Sequence, residues 1–432
     1  MENRNVCSCI AKSSIVKVLG QKMGTHNHTT HNFNEQFEFS GKAKTWSLVA
    51  ILIGVVSIAY GFLIDSAEHH SERTFANLLL MGYYFTCVCA AGAFFIALQF
   101  VAQAGWSAGL LRIPQAFAKV LPIASVVLLI IIVSGLFTHN LYHHWHQEGI
   151  ATEGSENYDP IIAEKASFLN VPFFLIRQVV FLGIYSIFAI LLTRYSNNED
   201  KVGGLLNHNK SVKMAIIFLV IFGFTTPIWS FDTIMSIEAH WFSTMFGWYN
   251  FAAMWVSGLC AITLTIILLK KAGHLSWINH NHLHDLGKFI FAFSIFWTYV
   301  WFSQFLLIWY ANIPEETVYF YKRWEPEYKP WFWLNIVINF LSPVLILMTR
   351  DAKRQTNTLM FVCILLLCGH WLDYYMMIMP GSVEAPHFGV QELGIAIGFA
   401  GLFAFLMLTK LASKPLVAQN HPLLEESLHH QI

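Results

Sequence analysis

Charge is the scarcest commodity in this sequence: Lys, Arg, Asp and Glu make up 12% of its 432 residues, where soluble domains carry about 25%. That deficit excludes a soluble protein of this size. A formal net charge of zero offers nothing to nucleic acid or to an acidic partner. The apolar–polar alternation of an outer-membrane barrel is missing, as are a dinucleotide-binding fingerprint, a P-loop, a tandem repeat and the CxxCH of covalently bound haem. The seven cysteines form no framework. Cys7 and Cys9 lie near the N-terminus, and Cys87, Cys89, Cys260, Cys363 and Cys368 fall in apolar stretches. Two residues apart, Cys87 and Cys89 diverge on a helix, so these thiols read as small buried hydrophobes rather than metal ligands. Residues 1–42 contain no apolar segment of the signal-peptide kind, and Met23 is an alternative start.

What the chain has is apolar length. Hydrophobic residues make up 56% of it, in runs of about 20, each enough to cross a hydrocarbon core of about 30 Å. The fold class is all-α integral membrane, with ten spans expected at 43–64, 78–101, 118–138, 171–193, 213–235, 244–269, 288–312, 330–349, 359–379 and 392–411. Residues 1–42 then form an N-terminal extension, 43–411 the membrane domain and 412–432 a tail. Of the 26 Lys and Arg, 20 fall in or beside the terminal segments and the loops near 102–117, 194–212, 270–287 and 350–358. Five fall in the opposite loops, and Arg177 lies inside a span. The positive-inside bias places both termini in the cytoplasm and makes "HNHLHD" (280–285) a hydrophilic cytoplasmic turn. The opposite loops are acidic and aromatic, as in "DSAEHHSE" (65–72), "PEET" (314–317) and "RWEPEY" (323–328).

Histidine is unusually dense in "FTHNLYHHWH" (137–146), at the outer end of the third span. Tyr142 and Trp145 suit an interfacial aromatic belt. His139, His143 and His146 would share a face if the helix continued. A solvated rim, a proton-relay or quinol-contacting role for His139, and a haem or metal site are the three readings. The last lacks a facing helix with a second deep histidine.

Ionisable side chains inside a bilayer are costly, about 2.5–3.5 kcal/mol each on insertion scales, so a functional reading is the default. Here they gather toward one leaflet. Arg177 lies about 9 Å into the fourth span, Asp232 near the outer end of the fifth, and Glu238 and His240 in the following "SIEAHW". His370 and Asp373 stand at i and i+3 in "GHWLDYY", on one helix face, with His370 near mid-membrane. Gln304 is polar within the seventh span. Arg177 needs an acidic or carbonyl partner, with Asp232 the first choice and Asp373 the second. Helix glue through such pairs is the plain reading. The functional one is a single outward-opening cavity lined by Asp232, Glu238, His240, His370 and Asp373, with His139 at its rim. Carboxylates and imidazoles of this kind can take the protons released when a quinol is oxidised.

Several stretches resemble the NrfD-type family, the membrane subunits of polysulfide-reductase-like complexes. "FLNVPFFLIR" (168–177) resembles that family's entry to the fourth span. "SFDTIMSIEAHWFSTMFGWYNFA" (230–252), "HDLGKFIFAFSIFWTYVWFSQFLLIWYANIPEET" (284–317) and "HWLDYYMMIMP" (370–380) are similar to the second large membrane subunit of alternative complex III. That complex is a quinol:cytochrome c oxidoreductase that passes electrons to cytochrome c or directly to a terminal oxidase. The likeness covers roughly 43–411. It implies two four-helix bundles, spans two to five and six to nine, with spans one and ten peripheral. It implies no redox cofactor bound by this chain, a quinol or menaquinol substrate, and haem c and iron–sulfur clusters in partner subunits. The implied partners are a second NrfD-like subunit, an iron–sulfur protein of molybdopterin-enzyme type, and multihaem and monohaem cytochromes c, in a bacterial inner membrane. His139 and Gln304 are the candidate quinone contacts. A standalone secondary transporter, a quinol-binding anchor of a polysulfide-reductase-like complex, and a di-haem b cytochrome are the competing classes.

Overall fold

A computed structural model describes residues 32–65, 71–383 and 388–431. Cys7, Cys9, Met23 and part of "DSAEHHSE" lie outside the described residues. Ten helices are long and apolar enough to cross a membrane: α1 Gly41–Asp65, α2 Glu72–Val101, α3 Arg112–Phe137, α4 Val171–Val202, α5 Leu205–Thr233, α6 Met245–Lys271, α7 His280–Ala311, α8 Lys329–Ile346, α9 Thr356–Ser382 and α10 Val390–Leu411. Residues 33–36 pair with the segment after α10, through a bridge between Gln36 and Pro415 and a bond from Leu416 N to Glu35 O of 2.9 Å. The two ends of the described chain therefore share one face, called the terminal face below.

Most helices begin or end beyond the apolar runs. Polar residues continue a helix at the membrane surface, where hydropathy no longer marks it. The expected loop at 194–212 shrinks to Gly203–Gly204, whose φ values of +68° and +74° suit glycine because they carry no Cβ penalty. Its remaining residues extend α4 and α5. "HNHLHD" is not a hydrophilic turn. It is the start of α7, where Asn279 caps the helix and exchanges bonds with His282, and His282, His284 and Asp285 are buried. The third span stops at Phe137. His139 and Tyr142 take left-handed backbone at φ +57° and +63°, and a single turn, His143–His146, follows.

The central helices are α2 and α6, the most enclosed of the ten. Helix α2 packs on α3, α5, α6 and α9, and α3 packs on α4, which packs on α5. Helix α9 lies against α6 and α8, and α7 against α6 and α8. At the periphery α1 and α10 pair through small residues. A Cβ added to Gly54 would come 2.5 Å from the Cα of Gly398, so the backbones touch, the approach that small residues allow in membranes. Cys87, Cys89, Cys260 and Cys363 are buried free thiols, whereas Cys368 is exposed on α9, contrary to a buried reading for all five.

Helix α8 is broken. Residues Val337–Leu341 form a π-turn just before Pro343, whose ring has no N–H to bond the carbonyl of Asn339 four residues back. The helix absorbs that loss by widening, a feature found frequently at functional sites.

Candidate functional site

The polar residues of the membrane interior form separate groups, and each is defined by its partners. The deepest is built on Asp373 of α9, fully buried together with His370. Asp373 Oδ1 accepts from the Tyr249 hydroxyl of α6 and from Asn335 Nδ2 of α8 at 2.8 Å. Its Oδ2 accepts from Trp297 Nε1 of α7 at 2.8 Å. Four helices thus converge on one carboxylate with neutral donors. His370 Nδ1 stands 3.6 Å from Oδ2, its ring 5.7 Å from the Trp297 ring. Neither His370 nitrogen has a hydrogen-bond partner. Asn339 Nδ2 donates to Asn335 Oδ1 at 2.6 Å, leaving its own Oδ1 unpartnered. The π-turn carries Asn339 inward, beside Gly369. A buried imidazole without partners calls for ordered water or a proton-handling role.

The second group is closed. Arg177 Nε and Nη2 clamp Asp232 Oδ2 and Oδ1 at 2.7 and 2.9 Å, and Nη1 donates to Phe168 O at 3.0 Å. The guanidinium lies over the Phe168 and Phe173 rings at 3.8 and 4.2 Å. Gln178 and Thr233 bond beside it at 3.0 Å. The two-pronged geometry uses what a planar guanidinium offers a carboxylate, and it ties α4 to α5.

The third group lies at the face opposite the termini. Glu238 Oε2 accepts from Arg323 Nη2 at 2.9 Å, with Lys322 Nζ 3.6 Å from Oε1. Arg323 also donates to the carbonyls of Met376, Tyr319 and Met377 at 2.8, 2.8 and 3.1 Å. It comes from the short helix Pro314–Trp324. Burial opposes the Arg323 charge, yet the Glu238 carboxylate, with Tyr319 and then Tyr249, holds its pKa above the ordinary value. Beside this group opens a polar cleft of about 500 Å³ whose walls include Glu72, His143, His144, Lys322, Glu325 and Tyr328. Burial, then His143, Lys322 and His240, push the His144 imidazole down to about 4.

One cavity lined by Asp232, Glu238, His240, His370 and Asp373 does not form. Asp232 is spent on Arg177, and His370 and Asp373 are sealed inside the bundle. His240 turns outward, 2.6 Å from Asp159, and that contact depresses the Asp159 carboxyl. None of the five lines the cleft. His139 is exposed, its ring 4.9 Å from that of His146. Burial, then His139, lower the pKa of His146. Of the histidines in "FTHNLYHHWH", His143 and His144 reach the cleft. Gln304 is buried with its Oε1 unpartnered. Among the described residues no three carboxylate, imidazole or thiol groups converge as a metal site. Sequence reasoning missed Arg323, Tyr249, Trp297, Asn335 and Asn339. A basic residue in an aromatic loop and two asparagines four apart in an apolar span were the available signals.

Fold and site define a ten-helix membrane protein with a buried carboxylate–imidazole centre. No protein-family model matches the chain, and no curated protein matches it.

Proposed function

We propose that this chain is a membrane subunit of a quinol-oxidising respiratory complex, of the NrfD type found in alternative complex III. In this reading it supports proton transfer and complex assembly, while electrons pass through cofactors of its partners: the iron–sulfur protein, the multihaem and monohaem cytochromes c and, where present, a terminal oxidase. A second NrfD-like subunit beside the iron–sulfur protein takes the quinol. The helix contacts support two bundles, α2–α5 and α6–α9, with α1 and α10 outside. The distribution of Lys and Arg supports a cytoplasmic terminal face, and the resemblance supports a bacterial inner membrane.

The observation that carries the reading is the His370–Asp373 couple, buried among neutral donors with a free imidazole. A carboxylate held by neutral hydrogen bonds can bind and release a proton, whereas one locked to guanidinium cannot do so near neutral pH. Arg323 and Glu238 stand between this couple and the cleft, so protons leaving Asp373 meet a charged pair before water. Purification from native membranes tests the assembly: c-type haem and iron–sulfur subunits should co-migrate with the chain, and a chain that purifies alone refutes it. In the intact complex, Asp373→Asn and His370→Phe should lower quinol-driven turnover or proton release about tenfold or more. Normal rates and proton yield in both would reduce the couple to helix glue.

A secondary transporter is the second reading, favoured by the broken helix α8. Transporters place such breaks at the substrate site, usually in matched pairs. Here the other internal prolines, Pro122, Pro227 and Pro380, leave α3, α5 and α9 continuous. Co-purifying redox subunits separate the two readings.

A further inference from the structure

At the terminal face a different cluster of buried polar atoms lacks hydrogen bonds. Both carboxylate oxygens of Glu199 on α4, Nδ1 of His208 and Oγ of Ser211 on α5, Nε of Arg112 and Oδ1 of Asp200 are all buried without a hydrogen bond. Glu199 is 1% exposed, and its Oε1 lies 3.4 Å from His208 Nδ1. The Arg112 guanidinium does not clamp it. Its other nitrogens go to Gln115 Oε1 at 2.6 Å, Asn197 Oδ1 at 2.9 Å and the Asp200 carboxylate. Orphaned polar atoms this dense require water or an ion. His208 also borders a void of about 10 Å³, bounded in part by Gln99, Ser107 and His421, about enough for one water. Three metal-ligating groups do not converge among the described residues, so the occupant these donors suit is water with an exchangeable proton.

The pocket is closed by the segment after α10. The His421 ring packs 5.2 Å from that of His208, and Phe100 packs against both. The segment is tethered along its length. Gln419 Nε2 donates to Asn34 Oδ1 at 2.7 Å, and Asn420 Nδ2 to Asp200 O at 2.8 Å. Ser427 Oγ accepts from Gly109 N at 3.1 Å and donates to Trp106 O at 2.8 Å. His430 O accepts from Asn279 Nδ2 at 2.8 Å, and its Nε2 lies 2.6 Å from Asp285 Oδ2. These polar tethers lie outside the apolar spans, and Leu416, Val417 and Leu424 are buried beneath the same segment, so lifting it breaks polar bonds and uncovers a small apolar patch.

We infer that the terminal face carries a second acid–base site, the Glu199–His208 pair with water in the void that His208 borders, with the carboxyl-terminal segment as its lid and His421 as the lid's contact. The step is proton binding alone: hydronium from the aqueous phase gives its proton to Glu199 and leaves as water, and the carboxylic acid can pass it to His208 Nδ1. Along α4, Glu199 is 22 residues from Arg177, about 33 Å, so this site is at the opposite end of the helix from the Arg177–Asp232 pair. It stands whether or not the chain serves a quinol-oxidising complex.

The test uses the full chain in lipid nanodiscs and pH-difference infrared spectroscopy. A protonated-carboxyl band should appear on acidification, vanish in Glu199→Gln and move in Glu199→Asp, which keeps the carboxyl if the glutamine variant fails to fold. Deuterium exchange at that band should quicken about tenfold or more when the chain stops after Lys414. Spectra of the Asp and Gln variants that superimpose on the wild type would show a permanently ionised structural carboxylate and overturn the site. Equal exchange rates with and without the segment would overturn the lid.

Discussion

Replacing Arg177 by Leu should expose what the Arg177–Asp232 pair does. The substitution removes both bonds to Asp232, the bond to Phe168 O and the stacking over two phenylalanine rings. Asp232, 1% exposed, keeps no cation and no hydrogen bond to its carboxylate. Removing one member of a buried pair costs about 3–5 kcal/mol, because the other is left charged in a poor solvent. Neutralising that residue as well should recover part of the loss, so the double variant Arg177→Leu/Asp232→Asn should be more stable than the single. Groups sharing a bond show coupling of about 0.5–3 kcal/mol, and this bidentate pair should sit in the upper half of that range. Arg177→Lys keeps the charge without the planar fork and should fall between wild type and Leu. Steric trapping in bicelles, applied to wild type, both singles and the double, gives the four free energies. A double variant whose loss equals the sum of the singles would refute the pairing as a stabilising unit.

A reporter active only in the periplasm should be silent when fused after Ile432, and activity there would reverse the proposed orientation. Gly398→Leu should separate α1 from α10, because the backbones already touch at Gly54, and crosslinking between cysteines introduced on the two helices should then drop. Burial, then His208 and Arg112, push His421 down to about 4, so the docked segment carries it neutral while a released one protonates near 6.5. Docking is then fully favoured above about 6.5 and weakens as pH falls toward 4, by up to about tenfold per unit. Protease cleavage of the segment should rise over that window, and His421→Phe should flatten the rise. His430 beside Asp285 and His274 beside Glu35 are present in both proteins, so the comparison isolates His421.

The number of spans was legible because twenty apolar residues in a row have few other fates. Their ends were not, because α5 and α7 begin in polar sequence at the surface: His208 and His282 look like loop residues until a neighbouring segment covers them. The Arg177–Asp232 contact was legible from depth, since an arginine there needs a partner and the next span in sequence is antiparallel. Which polar residues meet Asp373 was not. Tyr249, Trp297 and Asn335 come from three other helices, and their rotation about their axes follows from packing that hydropathy does not encode. The expected single cavity failed for the same reason. Depth along the membrane normal can be counted in residues, but azimuth cannot, and residues at one depth can face different interiors.

Partner chemistry, more than depth, sorts the buried carboxylates by what they can do. Asp232 is clamped by a guanidinium that never gives up its proton, and the pair joins α4 to α5. Glu238 faces Arg323 and Lys322, and it is tied up in that pairing beside the cleft. Asp373 meets a phenol, an indole and an amide, all neutral, and a histidine with both nitrogens free. Glu199 meets the His208 imidazole, with the Arg112 guanidinium near but not clamping it. Neither of the last two is clamped by a guanidinium, and they sit in different halves of the chain's depth. Between them α2 and α6 are packed with Ala, Gly, Phe and Trp, and the buried hydroxyl of Thr86 is already turned back onto its own helix, toward Gly82 O at 2.7 Å. A proton moving from one carboxylate to the other would have to cross that apolar layer. The two sites are therefore better matched to exchange with opposite aqueous phases than with each other.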